Sequence, residues 1–309
     1  MQVTAVVLEA PERLSLRPLT LRPVEAHDVV VEIDHSGIST GTERLLYTGT
    51  MPAFPGMGYP LVPGYESVGR VVAAGADARD RIGDTVFVPG ANCYLDARGL
   101  FGGAARRVIL PAAKALRIDP ALGHQAALLA LSATAYHALA GGKPAELIVG
   151  HGVLGRLLAR IAVALGGSPT VWETNPARAG GAVGYAVTDG SADDRRDYAA
   201  IYDVSGAADM LDPLIGRLAR GGEVVLAGFY DRLAFAFPPA FMREATIRIA
   251  AEFKPADLAA VTGLIADGRL SLDGLVTHVV PAAAANDAYV TAFGDASCLK
   301  MVLDWSDVA

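Results

Sequence analysis

Short apolar runs rich in β-branched side chains dominate about the first 115 residues, and turn-forming residues separate them. This pattern predicts strands rather than helices, most clearly at residues 29–33, 68–73 and 85–88. Residues 50–60, by contrast, are too rich in proline and glycine for either a helix or a strand. We therefore predict a compact β-rich barrel for this part of the chain.

The pattern changes near Gly123, where Ala- and Leu-rich segments begin to alternate with short apolar runs. The predicted strands are residues 147–149, 170–172, 200–202 and 223–226, and the clearest predicted helices are residues 125–139 and 153–165. Strands and helices that alternate in this way are typical of a doubly wound parallel sheet, so the predicted fold class is α/β. From about residue 275 the composition returns to that of strands and turns.

Composition narrows the function classes. With 309 residues, of which 52% are apolar, the chain is long enough for about two domains. Its net charge of −7 comes with no basic stripe, which argues against nucleic-acid binding. The two cysteines, Cys93 and Cys298, form no Cys-x-x-Cys pair, so we expect neither a zinc ribbon nor a disulfide framework. No apolar window is as long as a transmembrane helix, and we expect a soluble, cytoplasmic protein.

The sequence G-H-G-V-L-G at residues 150–155 follows a predicted strand and begins a predicted helix. In this setting Gly150 permits a tight turn, Gly152 lets the backbone approach a pyrophosphate, and Gly155 allows the helix to pack closely on the strand. The first helical residues, Val153 and Leu154, offer free N–H groups and the positive end of the helix dipole to phosphates. The motif therefore predicts a dinucleotide-binding site.

Glu173 ends the second strand of this region, where an acidic side chain hydrogen-bonds the adenosine ribose. A carboxylate there repels a 2′-phosphate and favours NAD over NADP, although Arg178 lies close enough in sequence to accept such a phosphate. Ser205, Gly206 and Gly228 follow later strands, whose carboxyl ends face the ligand crevice of such a sheet. We expect these three residues to lie against the nicotinamide half of the cofactor.

Four features in order resemble the medium-chain dehydrogenase/reductase superfamily: G-x-E-x-x-G-x-V at 64–71, G-D-T-V at 83–86, T-A-Y-H-A-L at 134–139 and the glycine motif. The resemblance covers essentially the whole chain. It implies a GroES-like catalytic domain of residues 1–117 and 275–309 around a Rossmann domain of residues 118–274, with the ligand between them. It also implies that Thr134 lies near the nicotinamide, that Lys300 approaches the pyrophosphate, and that the protein can form a homodimer.

The zinc ligands of that superfamily are missing from this sequence. Ser39 or Thr40 stands where the first cysteine is expected, Tyr65 replaces the histidine, and Ala130 falls near the position of the later ligand. Catalytic zinc needs about three protein ligands, and Glu66 alone cannot supply them. We therefore predict an enzyme without a metal site.

Residues 36–72 resemble one branch of the superfamily, which oxidises the 3-(1-hydroxyethyl) group of a bacteriochlorophyllide to an acetyl group during bacteriochlorophyll biosynthesis. The resemblance implies an NAD-dependent alcohol dehydrogenase with a tetrapyrrole substrate. Two alternatives stay open. One is a zinc-free enone or quinone reductase that uses NADPH, and the other is a nucleotide- or tetrapyrrole-binding protein without turnover.

Tyr65 is the first candidate for the catalytic base, because it stands where a metal ligand would point into the cleft. Its usual pKa near 10 would have to be lowered, or a relay through Thr42 and Ser39 would have to carry the proton. Glu66 could orient this group or accept the proton. Alternatively, Tyr65 fills the space left by the metal, and Glu66 is a structural hydrogen-bond acceptor.

The loop at residues 50–60 suits a flat apolar ligand. Phe54, Met57 and Tyr59 can contact a macrocycle, and the prolines limit the entropy lost when the loop becomes ordered. The alternative is a surface turn with incidental aromatic side chains. His35 and His137 are further candidates for proton carriers.

Overall fold

The computed structural model describes residues 1–308. Its strands are β1 Gln2–Ala10, β2 Arg13–Thr20, β3 Asp28–Ile38, β4 Leu61–Val62, β5 Ser67–Ala74, β6 Thr85–Val88, β7 Arg98–Gly99, β8 Arg107–Pro111, β9 Leu116–Arg117, β10 Leu147–Val149, β11 Thr170–Trp172, β12 Ala186–Thr188, β13 Tyr198–Asp203, β14 Leu218–Leu226, β15 Thr246–Ile249, β16 His278–Pro281 and β17 Met301–Asp304. The α-helices are α1 Thr42–Thr48, α2 Leu129–Leu139, α3 Val153–Ala164, α4 Pro176–Ala179, α5 Leu211–Ile215, α6 Phe237–Arg243, α7 Pro255–Ala266 and α8 Ala285–Gly294. Short 3-10 helices are Ala76–Arg81, Ala112–Lys114, Pro120–Leu128, Gly190–Ala192, Ala208–Met210 and Ala282–Ala284.

The chain divides into two compact units, Met1–Ala130 with Asp273–Ala309, and Leu131–Leu272. The first boundary therefore lies later than the predicted residue 117. The physical reason is the 3-10 helix Pro120–Leu128, which packs against strands β3 and β5 of the first unit. The predicted helix over residues 125–139 accordingly begins as this 3-10 helix and becomes α-helical only from Leu129.

Two sheets build the first unit. The larger has the strand order β16-β17-β3-β5-β6-β9, with β8 also paired to β3, and the smaller has the order β2-β1-β4-β7. The central strand β3 buries Val29, Val31 and Ile33, which explains why its apolar run is nearly continuous. The predicted strands at residues 29–33, 68–73 and 85–88 lie within β3, β5 and β6 and are confirmed.

Helix α8 corrects the prediction that residues 275–309 contain only strands and turns. It buries Ala285, Ala288, Tyr289 and Ala292, a spacing that places all four on one helical face. This face joins the core of the first unit. Strand β17 then pairs with β3 and returns the end of the chain to the large sheet.

The second unit is built on a six-stranded sheet of order β12-β11-β10-β13-β14-β15, and every neighbouring pair in it is parallel. The order steps outward from β10 in both directions, as in a doubly wound α/β fold. The predicted strands of this region and the helix α3 are confirmed. No helix within residues 1–308 combines the length and apolar character that crossing a membrane requires.

Candidate functional site

The turn between β10 and α3 has the geometry that a dinucleotide pyrophosphate needs. Gly150 has φ +105°, a conformation that favours glycine. A Cβ atom on Gly155 would lie 1.9 Å from the carbonyl oxygen of Gly150, so only glycine lets the helix approach the turn this closely. A Cβ on Gly152 would meet nothing within 4 Å, so the backbone there is open to a ligand. The residues present therefore fit a bound dinucleotide.

The ends of the central strands meet at this turn. Ala227 and Gly228 both donate their N–H groups to the carbonyl of Asp203, at 2.9 and 3.2 Å. A Cβ atom on Gly150 would lie 3.3 Å from the Cα of Ser205. A Cβ atom on Gly228 would lie 3.2 Å from the backbone nitrogen of Gly206. The structure thus gathers the predicted glycines at one edge of the sheet, where backbone is exposed to a flat ligand.

Glu173 follows β11 and is partly exposed. Its carboxylate accepts hydrogen bonds from the N–H of His151 at 3.1 Å and the N–H of Asn175 at 2.8 Å. These bonds hold the acidic group beside the glycine turn, in the position where an adenosine ribose is bound in this fold. Thr134 lies on α2 and is partly buried within the second unit.

The sequence analysis assigned no role to His151, which occupies the second position of the glycine turn. Its side chain is fully buried. The ring Nδ1 lies 2.6 Å from the carbonyl oxygen of Arg178, and Nε2 lies 2.8 Å from the hydroxyl of Tyr185. Arg178 therefore contributes to this region through its backbone carbonyl.

Lys300 forms a buried ion pair within the first unit, which argues against the pyrophosphate role that the family resemblance implied. The residue is 1% exposed, and its ammonium donates to the carboxylate of Glu66 and, at 2.9 Å, to the carbonyl of Ile38. Glu66 is itself fully buried, and a Cβ on Gly37 would lie 2.6 Å from its Oε2 atom. The pair is therefore locked in the interior of the first unit by close packing.

The same pairing removes Glu66 from its predicted catalytic role. One carboxylate oxygen binds Lys300, and the other, Oε1, has no hydrogen-bond partner within residues 1–308. Burial raises the pKa of Glu66, and the neighbouring ammonium of Lys300 opposes that shift. The structure shows no hydrogen bond from this carboxyl to the hydroxyl of Tyr65 within the described residues. Glu66 is a structural partner of Lys300 here.

The structure does bring Tyr65, Ser39 and Thr42 together. The Tyr65 hydroxyl lies 2.6 Å from Ser39 Oγ and 3.5 Å from Thr42 Oγ1. Phe101, which the sequence analysis missed, packs edge-on against the Tyr65 ring with 5.2 Å between ring centroids. Ser39 is nearly buried, whereas Tyr65 and Thr42 are partly exposed. These three hydroxyl groups form one cluster, buried at Ser39 and partly exposed at Tyr65 and Thr42.

The sequence left two ways for Tyr65 to act as a base, a lowered pKa or a relay through Thr42 and Ser39, and the surroundings of its hydroxyl oppose the first of them. Burial, followed by the nearby carboxylate of Glu66, raises the pKa of Tyr65 well above its ordinary value of 10.0, and the bonds to Ser39 and Thr42 offset only part of this. A phenol with a raised pKa stays neutral at physiological pH. Tyr65 can therefore donate and accept hydrogen bonds, but it is not a phenolate base.

Glu43 lies behind this cluster on α1 and was also missed. Its carboxyl accepts a 2.5 Å hydrogen bond from the hydroxyl of Tyr289 and a 3.4 Å bond from the N–H of Ser39. Burial raises the pKa of Glu43 to about 7, and the hydrogen bond from Tyr289 opposes the shift. Glu43 accepts from the backbone of Ser39 and, among the described residues, makes no bond to its hydroxyl. It therefore helps to hold Ser39 in place but is not part of the hydrogen-bonded series of hydroxyl groups.

The donors at the expected zinc position do not fit zinc. Ser39 and Tyr65 bond to each other, Ala130 has no donor atom, and Glu66 is engaged by Lys300. Zinc in proteins is bound by thiolate, imidazole or carboxylate ligands. Within residues 1–308, no group of three or more His, Cys, Asp or Glu side chains is placed to hold a metal ion.

The three residues predicted to contact substrate lie in different surroundings. Phe54 is 39% exposed, so its ring is available to a ligand. Met57 and Tyr59 pack against a small apolar cluster that includes Leu46 and Leu61, and the Tyr59 hydroxyl donates to the carbonyl of Leu46. Tyr59 is therefore anchored to helix α1 by its hydroxyl and remains partly exposed.

The two other candidate proton carriers have partners of their own. His137 Nδ1 lies 2.8 Å from a carboxylate oxygen of Asp257 within the second unit. The ring of His35 packs edge-on against His124 with 5.9 Å between centroids, and burial lowers the pKa of His35. The structure records no hydrogen bond from either residue to the hydroxyl cluster among the described residues.

Comparisons with known proteins agree with this geometry. Residues 25–120 match the alcohol dehydrogenase GroES-like domain family. The chain is 59% identical to the 2-desacetyl-2-hydroxyethyl bacteriochlorophyllide A dehydrogenase of Rhodobacter capsulatus, with 99% of each chain covered. It is 57% identical to the protein of the same name from Cereibacter sphaeroides, with 100% of each covered. An alcohol dehydrogenase of Escherichia coli CFT073 crystallised with NADH has the same fold, with a TM-score of 0.85 at 20% identity over 98% of this chain and 99% of that one.

Proposed function

The chain belongs to the family of the 2-desacetyl-2-hydroxyethyl bacteriochlorophyllide A dehydrogenases, and we propose that it oxidises the hydroxyethyl group of a bacteriochlorophyllide to an acetyl group with NAD. The observation that carries this proposal is 59% identity over essentially the full length of both chains. The medium-chain dehydrogenase fold and the intact glycine turn support it. The reaction removes a hydride from the secondary alcohol carbon and a proton from its oxygen.

The substrate itself offers a reason why a Lewis acid is dispensable. The reacting carbon is bonded to a large conjugated macrocycle, which can delocalise the positive charge that develops as the hydride leaves. Bound NAD supplies the hydride acceptor. As charge develops on the carbon, the alcohol proton becomes strongly acidic, so a neutral hydroxyl group suffices to accept it. Alcohols that lack conjugation should therefore react poorly.

In this proposal the hydroxyl cluster handles the proton. Tyr65, at the partly exposed side of the cluster, hydrogen-bonds the alcohol oxygen, and Ser39 fixes the orientation of its hydroxyl at 2.6 Å. Tyr65 accepts the proton of the alcohol and donates its own hydroxyl proton to Thr42, which donates its own proton to water. No charge therefore stays on the protein. The buried carboxyls do not take part, because Glu43 binds the backbone of Ser39 and Glu66 binds Lys300.

We further propose that the enzyme needs no zinc. The absence of a suitable donor set at the hydroxyl cluster supports this, as does the use of Glu66 as an ion-pair partner. The reaction test uses purified protein of measured metal content with NAD and the hydroxyethyl bacteriochlorophyllide. We expect acetyl product and NADH in equal amounts from protein with far less than one zinc per chain. Turnover that rises with zinc content contradicts the metal-free proposal, and activity only with NADPH and an enone contradicts the substrate assignment.

The choice of NAD over NADP depends on Glu173. The N–H groups of His151 and Asn175 bind different oxygens of this carboxylate, so the Glu173→Gln side chain can accept from only one of them. The substitution also removes the negative charge that repels a 2′-phosphate. We expect the ratio of kcat/KM for NAD to that for NADP to fall by about tenfold, or roughly 1.4 kcal/mol. Steady-state kinetics with both cofactors measures this. The matched control is Glu146→Gln, since Glu146 is also a partly exposed acid that accepts a backbone N–H, from Ala199, and pairs with Arg195. An unchanged ratio contradicts the role of Glu173.

A further inference from the structure

The side chain of His151 is buried in the protein, whereas the backbone of the same turn is open to a ligand at Gly152. The Nδ1 atom must carry the ring hydrogen, because its partner, the carbonyl oxygen of Arg178 at 2.6 Å, can only accept. In the neutral ring Nε2 is then an acceptor, and the Tyr185 hydroxyl donates to it at 2.8 Å. The neutral ring therefore satisfies both partners at once, and each partner belongs to the segment between β11 and β12.

Arg156 also connects the glycine turn to the segment between β11 and β12 by hydrogen bonds. From the first turn of α3 its Nε donates to the carbonyl of His151 at 3.0 Å, and one of its terminal nitrogens donates to the carbonyl of Arg178 at 2.9 Å. The residue is 5% exposed, so these bonds form away from water. A Cβ on Gly181 would lie 2.3 Å from the Arg156 guanidinium, which shows how closely the segment covers it.

The segment that these bonds hold is residues 176–185. It begins with the short helix α4, capped by Asn175, and leads directly into β12. It follows Glu173 closely, and the N–H of His151 itself donates to the Glu173 carboxylate. One residue thus joins the glycine turn, the ribose-binding acid and the segment that borders it.

We propose that His151 is a positioning residue, which fixes residues 176–185 against the glycine turn and so sets the affinity for the adenosine half of the dinucleotide. This inference rests on the cofactor part of the proposed function. His151 touches no reacting atom. Its effect is expected in cofactor affinity rather than in the rate of the chemical step.

Protonation of His151 would weaken this arrangement, because a charged ring donates at both nitrogens and Tyr185 could no longer donate to it. The groups that face the ring are Arg156 and Arg160 from α3, Glu173 after β11, the backbone of Arg178 in α4, and Tyr185. Burial, followed by the charge of Arg156, lowers the pKa of His151 from its ordinary 6.5, although the bond to Arg178 opposes this. The His151 ring is therefore neutral and holds the segment at pH 6.5 and above, and the affinity falls only as the pH drops through the lowered pKa of His151.

The experiment measures dissociation constants of NADH and ADP-ribose by calorimetry for the wild type, Tyr185→Phe and His151→Asn. We expect about fivefold weaker binding of both ligands for Tyr185→Phe, which loses the neutral hydrogen bond to His151 and the contact of the same hydroxyl with Arg160, and a larger loss for His151→Asn. As the pH is lowered from 7.5, the wild type should keep its affinity to about pH 6.5 and then bind progressively more weakly, while His151→Asn should show no such decrease. His27→Asn, with an 83% exposed side chain in the first unit, is the matched control.

Hydrogen exchange of residues 176–185 without cofactor provides the second readout. We expect faster exchange in both variants, with melting temperatures near that of the wild type for Tyr185→Phe. Wild-type affinity in both variants, or a pH dependence that persists in His151→Asn, overturns the inference and leaves the cofactor assignment intact. If the wild type binds neither NADH nor ADP-ribose, the cofactor part of the proposed function is wrong and the inference is wrong with it.

Discussion

Replacing Tyr65 with Phe is expected to lower kcat for the hydroxyethyl pigment by about 100-fold, the lower end of the range for losing a proton-transfer group. The change removes the hydroxyl that lies 2.6 Å from Ser39 Oγ but keeps the ring against Phe101. KM should change little, because the substrate surface is otherwise retained. Stopped-flow detection of NADH formation separates the chemical step from product release.

The matched control for this prediction is Tyr94→Phe. Tyr94 is buried, and its hydroxyl donates to the carbonyl of Gly102 at 2.7 Å, so the variant loses buried hydrogen bonding outside the hydroxyl cluster. It should lower the melting temperature and leave kcat nearly unchanged. Because the pKa of Tyr65 is raised, the wild-type rate should show no tyrosine ionisation between pH 6 and 9. A Tyr65→Phe enzyme with wild-type kcat would mean that Tyr65 only fills space.

Replacing Lys300 with Met is expected to lower the free energy of unfolding by roughly 3–5 kcal/mol, the usual cost of leaving a buried charge without its partner. Glu66 is fully buried, and Lys300 supplies the cation in contact with its carboxylate. The melting temperature should fall by on the order of 10 °C, which calorimetry measures. The double variant Lys300→Met with Glu66→Gln should recover part of this loss, because no charge then stays buried.

The loss in Lys300→Met should depend on pH in a defined direction. Burial raises the pKa of Glu66, and the variant lacks the ammonium that opposes the shift, so the folded state binds a proton more tightly than the unfolded state. Stability therefore decreases as the pH rises above the unfolded value near 4.3. The destabilisation should be small at pH 4 and full at pH 8. Equal losses at both pH values would show that packing, rather than charge, is responsible.

Local features of the site could be predicted from the sequence because their causes are local. Gly150 and Gly155 are required by a tight turn and by helix packing within six residues of each other, and the structure shows both constraints. The strands of the parallel sheet were equally visible, because strands buried on both faces are continuously apolar. The clustering of Tyr65 with Ser39 and Thr42 followed from the family pattern, which already places these positions together.

The features that were missed depend on contacts between distant parts of the chain. Lys300 and Glu66 are 234 residues apart, and nothing in the local sequence of either marks the other as its partner. The burial of Tyr65, which decides the direction of its pKa shift, likewise depends on how the barrel closes. His151 looked like a spacer between glycines, since the direction of its ring depends on the segment that ends at Tyr185.

The return of the chain to the first unit has a consequence for the order of synthesis. Glu43 and Glu66 emerge from the ribosome early, but their partners Tyr289 and Lys300 follow 246 and 234 residues later. The first unit therefore cannot complete its interior until Tyr289 and Lys300 have been made, whereas the second, continuous in sequence, can fold before them. A nascent chain of this protein exposes an unfinished barrel until its last strand, β17, is available to pair with β3.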